Sequence, residues 1–244
     1  MSYPAGVILF DIDGTLLRTG DRAHSGAFVH AFEQVYGKPV TLEGVSLAGM
    51  LDANIARVLF EIHDLDREAA DSRLAEMMAA MGARYEEVTA GVDARERLLP
   101  GVVEAIVACQ ARGWQTGVLT GNAEAVGWAK LRAAGLEQLL PFGAFGDVAR
   151  ERGHLVELAL DAAERRTGVR HTPDQAVLIG DTPEDIAAAR LGGAHVLAVA
   201  TGRFSVDALR EHAPDAVFEN LADTSGVVAA LAATLASRLR HVEG

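Results

Sequence analysis

The chain has 244 residues, half of them hydrophobic, which is enough for one large domain or for a core with a smaller companion. Its net charge of -12, from 22 basic and 34 acidic residues, argues against generic binding to nucleic acid or an anionic membrane; an anionic small substrate stays possible in a pocket ruled by a metal and a few cations. Cys109 is the only cysteine, so no intrachain disulfide can form; with no signal-peptide pattern and no run of membrane-spanning length, a soluble cytoplasmic protein is expected.

The first expected strand is the apolar run Val7–Phe10, which stops abruptly at Asp11-Ile12-Asp13-Gly14-Thr15. Such a run reads as a strand buried on both faces of a parallel sheet. From about residue 18 to residue 97 the pattern changes. Helical periodicity runs through 23–36, 52–63, 67–81 and 84–90, with charges on the outer faces and no convincing strand. This segment reads as an all-helical insertion between the first two strands. Leu98-Leu99-Pro100-Gly101 marks re-entry, and a helical pattern follows over 102–109, where Cys109 reads as a core residue.

A second strand, 117–119, runs into Thr120-Gly121-Asn122, with a helix from Ala123. A third, 176–179, runs into Gly180-Asp181-Thr182-Pro183-Glu184-Asp185, with a helix over 183–191. Strands at 196–200 and 216–218 and a closing helix over 226–240 complete the pattern. Alternating strands and helices predict βα units and a parallel sheet.

Ligands gather beyond the carboxyl ends of such strands. Asp11 and Asp13, two apart on an extended chain, project to one side, and two carboxylates held together need a cation or a shared proton. A hard divalent metal would serve, leaving one aspartate to attack and the other to move protons. Thr120 offers a hydroxyl, and the amides of Gly121 and Asn122 lie near a helix N-terminus, which favours anions. Asp181 ends the third strand, and Asp185 falls on the first turn of the following helix, where Thr182 and Pro183 also suit capping positions.

Together these motifs resemble those of the haloacid dehalogenase-like superfamily of phosphohydrolases, and among them the phosphoglycolate-phosphatase-like members. Asp11-Ile12-Asp13-Gly14-Thr15 matches the first motif, Leu119-Thr120-Gly121-Asn122 the second, and Gly180 to Asp185 the fourth. The resemblance implies an α/β fold: a three-layer Rossmann-like core with a parallel sheet, formed by residues 1–17 and 97–244, and a helical cap, 18–96. It implies Asp11 as the nucleophile that forms an aspartyl-phosphate, and Asp13 as the acid and then the base. Thr120, Gly121 and Asn122 would hold the phosphoryl oxygens. Asp11, the backbone carbonyl of Asp13, and Asp181 would bind Mg²⁺, with Asp185 in support. Dehalogenating members usually lack the second aspartate, so Asp13 points to phosphate chemistry.

The third motif departs from the pattern. It normally supplies a lysine, and the stretch from Phe142 to Ala176 has none. Arg152 is the best stand-in and Arg150 the runner-up, although a planar guanidinium needs different geometry from an ammonium. In the cap, Gly49-Met50-Leu51-Asp52, Arg22, His24 and Arg57 are candidates to reach the substrate, and Asp52 would be a poor partner for an acidic tail. The expected activity is a Mg²⁺-dependent phosphatase of a small phosphorylated metabolite, monomeric or homodimeric, with no nucleic-acid or membrane partner. A sugar-phosphate mutase and a non-enzymatic phospholigand-binding protein are the alternatives.

Overall fold

The computed structural model describes residues 5–45, 48–147, 149 and 151–237. At its centre lies β1 (Val7–Phe10), flanked by β2 (Gln115–Leu119) and β4 (Ala176–Gly180). With β3 (Gly143–Ala144), β5 (His195–Val199) and β6 (Ala216–Phe218) they form a six-stranded sheet in the order β3-β2-β1-β4-β5-β6, every pair parallel. All four residues of β1 are fully buried. Ile8 and Phe10 enter one apolar cluster, with α5 (Val102–Gln110) and α10 (Thr224–Ser237). Val7 and Leu9 enter the other, with α7 (His154–Thr167), α8 (Pro183–Leu191) and α9 (Val206–Arg210). This alternation is the strand's period of two, and it gives three layers with the sheet in the middle. Each large side chain so buried contributes roughly 1.5–3 kcal/mol.

The register positions the site. Val7 pairs with both Gln115 and Ala176, so the three central strands end almost level. Connections leave β1 in opposite directions, to β2 on one side and ultimately to β4 on the other. The crevice at such a reversal is where ligands bind in open α/β sheets. Asp11 sits at its floor, tied by its backbone amide to the Ile179 carbonyl at 2.9 Å.

Between β1 and α5 lie α1 (Arg22–Tyr36), α2 (Asp52–Ile62), α3 (Arg67–Ser72) and α4 (Leu74–Val88). They pack Phe28, Phe32, Phe60, Met77 and Met81 into a cluster of their own, which also takes in Val126 of α6 (Glu124–Ala133). The chain leaves and re-enters the core side by side: Arg18 N donates to Arg97 O at 2.9 Å, and Leu99 N to Leu16 O at 3.0 Å.

The helix boundaries in this region differ from the periodicity. A single helix over 67–81 and a second over 84–90 were expected; the break falls instead at Arg73, between α3 and α4, and α4 runs straight through Gly82. Gly82 is a packing residue, not a stop: a Cβ there would collide with Ala125, so its absence lets α4 approach α6. Strand β3, two residues long, carries no period at all and was not anticipated. The closing helix starts at Thr224, two residues before the expected Gly226, and its expected end at Arg240 lies outside the described residues.

Candidate active site

Three strand ends converge on one cavity of about 280 Å³, and Asp11, Asp13, Thr120, Gly121, Asn122, Arg152 and Asp181 all line it. Asp185 lies just behind. Carboxylate oxygens of Asp11, Asp181 and Asp185 come within 4.8 Å of one another, although Asp11 follows β1, Asp181 follows β4 and Asp185 lies on the first turn of α8. The local sequence explains how α8 starts there. Thr182 caps the helix, accepting from Asp185 N, and Asp185 Oδ2 accepts in return from Thr182 N at 3.0 Å and from the Thr182 hydroxyl at 2.7 Å. Pro183 occupies the first turn, where its missing N–H costs nothing. Capping and site construction are therefore one device.

Close approach is secured by glycine at two points. Gly14 has φ +94°, and a Cβ there would run into the Asp181 carboxylate. At Gly121 a Cβ would strike the backbone carbonyl of Met50, so only glycine lets the helical segment seat against this loop. Asp52 N donates to Gly121 O at 2.8 Å, and the Asp52 side chain accepts from Ala123 N at 2.7 Å, which docks the start of α2 onto the start of α6.

Arg152 points into the site. Its side chain is 10% exposed; Nη2 lies 3.2 Å from Asp11 Oδ1 and pairs with Asp185 Oδ1, while Nη1 donates to Gly49 O at 2.6 Å. Its Nε is buried and has no hydrogen-bond partner among the described residues. Arg150, the alternative, lies outside the described residues. One arginine is too little for three carboxylates. Burial, and then the charge of Asp185, push the Asp11 carboxyl well above the ordinary carboxylate range against the pull of Arg152. Burial, then Asp11 and Asp185, raise Asp181 likewise.

That imbalance fits a divalent cation, and so do the donors. Asp185 is already committed to its cap and to Arg152. Asp181 accepts only a long 3.4 Å contact from the Thr15 hydroxyl among the described residues, and Asp11 is engaged by Arg152 through one oxygen. Hard carboxylate oxygens in a buried, charge-deficient cluster are what Mg²⁺ or Ca²⁺ takes.

Asp13 lives in a different environment. Its Oδ2 accepts from Lys130 Nζ at 2.6 Å and from Asn122 Nδ2 at 2.9 Å. Burial would raise this carboxyl, but Lys130 and His24 outweigh burial and hold it below the ordinary range. Lys130, on α6 and 2% exposed, was not foreseen as a site residue. It also donates to Asn122 Oδ1 at 2.7 Å and contacts His24 Nδ1 at 3.3 Å. His24 in turn donates from Nε2 to Asp52 Oδ2 at 3.0 Å. One signal was available: Lys130 stands on the apolar stripe of α6 with Val126, where a lysine needs a buried partner.

The other helical candidates separate. His24 and Asp52 line the cavity. Arg57 does not; it is held by Asp71 at 2.8 Å and Asn54 at 2.8 Å. Arg22 is exposed and lies outside the cavity lining. No helix among the described residues is long and apolar enough to cross a membrane.

Comparison with known proteins agrees with this geometry. Residues 6–193 match the family model described as haloacid dehalogenase-like hydrolase. A phosphoglycolate phosphatase of Thiobacillus denitrificans is 30% identical over 229 residues, 92% of this chain and 96% of the relative. The pyrophosphatase PpaX of Bacillus pumilus is 25% identical over 226 residues, 91% of this chain and 96% of that protein. In fold, the β-phosphoglucomutase of Clostridium difficile superposes with a TM-score of 0.69 at 13% identity, covering 93% of this chain and 97% of the other.

Proposed function

We propose that this chain, which belongs to the haloacid dehalogenase-like hydrolases and is a phosphatase acting on phosphoric monoesters, hydrolyses a small phosphorylated metabolite with Mg²⁺ through an aspartyl-phosphate on Asp11. The observation that carries the reading is the division of labour between the two aspartates. Asp11 lies in a carboxylate cluster short of positive charge, and Asp13, two residues on, is paired with a buried lysine. Separated environments of this kind mark separate acid–base roles.

An oxygen of Asp11 attacks phosphorus, and the bond from phosphorus to the ester oxygen breaks. Asp13 delivers a proton to that oxygen, so the alcohol leaves neutral. Asp13, now a carboxylate, takes a proton from water, whose oxygen attacks the phosphorus of the aspartyl-phosphate; Asp11 and inorganic phosphate are released. The Lys130 pairing suits Asp13 as the base of the second half. For the first half, the negative phosphate placed beside it raises its proton affinity. Thr120, with the amides of Gly121 and Asn122 near the start of α6, holds the phosphoryl oxygens, and Arg152 offers a cation with a free Nε–H. Asp11, the backbone carbonyl of Asp13, and Asp181 would hold Mg²⁺, with Asp185 behind them; bound there, the ion offsets the repulsion between phosphate and carboxylates. Residues 18–96 serve as a cap that keeps bulk water from the reaction.

A phosphate-release screen over phosphorylated metabolites, with Mg²⁺ and with chelator, tests this. Release that requires the metal and is lost in Asp11→Asn supports it. Turnover of sugar phosphates without net release would replace hydrolysis by phosphoryl transfer between positions, and activity undiminished by exhaustive chelation would remove the metal from the mechanism.

A further inference from the structure

Among the described residues two arginines line the cavity, and they are used differently. Arg152 is 10% exposed and committed to Asp11, Asp185 and the Gly49 carbonyl. Arg203 is exposed and has neither a hydrogen-bond nor an ion-pair partner among the described residues. Nor is it among the leading charges acting on Asp11, Asp13 or Asp181, which are answered by Arg152 and Lys130. Its guanidinium stands apart from the carboxylate cluster while bordering the same cavity.

On an open surface a solvated arginine would need no explanation. The chain around this one, between β5 and α9, is fastened on both sides. Before it, the Thr201 hydroxyl donates to the Gly14 carbonyl, and Gly202 is seated against the Asp181 carboxylate, where a Cβ would collide. After it, Phe204 packs on the apolar cluster of α7 and α8, and Ser205 caps α9, accepting from Ala208 N at 3.2 Å. The backbone of Arg203 is thus anchored beside the reacting centre, and its side chain alone is left unbound. The acids on the helical side do not claim it. Asp21 accepts from Ala23 N and the Tyr85 hydroxyl and lies 3.3 Å from Arg97. Asp52 is bound by Ala123 N and His24.

A cation left unpaired in a chain of net charge -12, at the border of this cavity but away from its carboxylates, is placed to meet negative charge that the substrate brings. In the mechanism above the phosphoryl group is already served by Thr120, the neighbouring amides, Arg152 and the metal. We infer that Arg203 is a specificity-determining residue: it binds a second anionic group on the alcohol part of the ester, so that the core loop after β5, and not the cap alone, selects the substrate. This rests on the phosphatase reading above. A guanidinium suits a carboxylate or a phosphate equally, through two parallel N–H donors. Because the side chain is exposed, the contact is screened by salt and weaker than a buried pair.

The test takes the alkyl phosphates from ethyl to butyl, each beside counterparts whose terminal methyl is replaced by a carboxylate or by a second phosphate. With Mg²⁺ and low salt, kcat/KM for at least one charged ester should exceed that of its methyl counterpart by about tenfold, and the two charged arms tell which anion is read. Arg203→Ala should cut that ratio about tenfold, and Arg203→Lys should restore part of it. The side chain is exposed and unpartnered, so Arg203→Ala should fold with an unchanged Tm. No preference at any length, or a preference that survives Arg203→Ala, overturns the inference. So does a fall shared equally by charged and uncharged esters, since Arg203 would then hold the reacting phosphoryl group. If the wild type releases phosphate from none of the esters, the phosphatase reading has failed. Calorimetric affinities for the same esters then decide the inference alone: tighter charged esters, with the difference lost in Arg203→Ala, support it, and equal affinities sink it.

Discussion

Lys130→Met should be costly in a way that reveals what the lysine does. The side chain is 2% exposed and donates to Asp13 at 2.6 Å and to Asn122 at 2.7 Å, with Asp21 at 4.0 Å. Removing one partner of a buried pair typically costs about 3–5 kcal/mol, because the remaining charge is left uncompensated. Two features pull the value down. The Asp13 side chain is 28% exposed and keeps the 2.9 Å bond from Asn122, and Asp21 keeps Arg97 and Tyr85. A loss of about 3 kcal/mol is therefore expected, which for a chain of this size lowers Tm by roughly 6–12 °C. The specific signature lies in the double variant. Asp13→Asn removes the orphaned charge, so Lys130→Met should cost clearly less in that background. Leaving groups give a second readout. A misplaced Asp13 hurts alkyl phosphates, which need a proton on departure, far more than p-nitrophenyl phosphate, which does not. Denaturant titration of the four proteins and kcat on the two ester types measure both effects. Additive stability losses together with an equal drop on both esters would refute the reasoning and leave Lys130 a packing residue.

The remaining expectations concern the charge cluster and one histidine. Asp11→Asn should abolish phosphate release in a folded protein, since an amide neither attacks phosphorus well nor ligates metal strongly; substantial activity in a clean preparation contradicts that role. Arg152→Ala should lower kcat about 10- to 100-fold, the equivalent of a charge-assisted contact, and, because this arginine also bridges buried Asp11 and Asp185, should lower the metal-free melting temperature too. Unchanged kinetics would take the cation out of the site. Mg²⁺ at a hundred times its Kd should add about 2.7 kcal/mol, or roughly 5–10 °C in Tm, and Asp181→Ala should lose most of that shift; an equal shift in both proteins would move the ion elsewhere. Burial holds the His171 imidazole below its ordinary pKa, so the unfolded chain binds the proton more readily. Its contribution is present above pH 6.5 and is lost as pH falls through the unfolded value toward the lower folded one, so His171→Gln should flatten the fall in Tm between about pH 7 and 5. A fall of the same steepness in the variant counts against it.

What could be read from the sequence, and what could not, divides along a physical line. The strand ends were readable because a strand buried on both faces is an unbroken apolar run, and any polar residue that ends it stands at the sheet's edge. Asp11, Thr120 and Asp181 each lie within one residue of a strand's end, and all three line the cavity. Asp185 was readable through its capping geometry, which is encoded within four residues. Arg152 could be reached only by elimination, because its partners are 141 and 33 residues away. Lys130 is the last lysine of the chain, and its sequence context points to no site. Its partner Asp13 lies 117 residues earlier, and nothing in α6 names an aspartate as what that lysine meets. The same distance hides the role of Gly82, which depends on how α4 meets α6. The groups proposed to perform the chemistry are therefore local to strand ends, while the groups that tune and select are long-range pairings. Charge in the first set has to be balanced by the second. A chain could keep Asp11, Asp13 and Asp181 intact and still change its rate through Lys130 or Arg152, with no alteration visible in any strand-end motif.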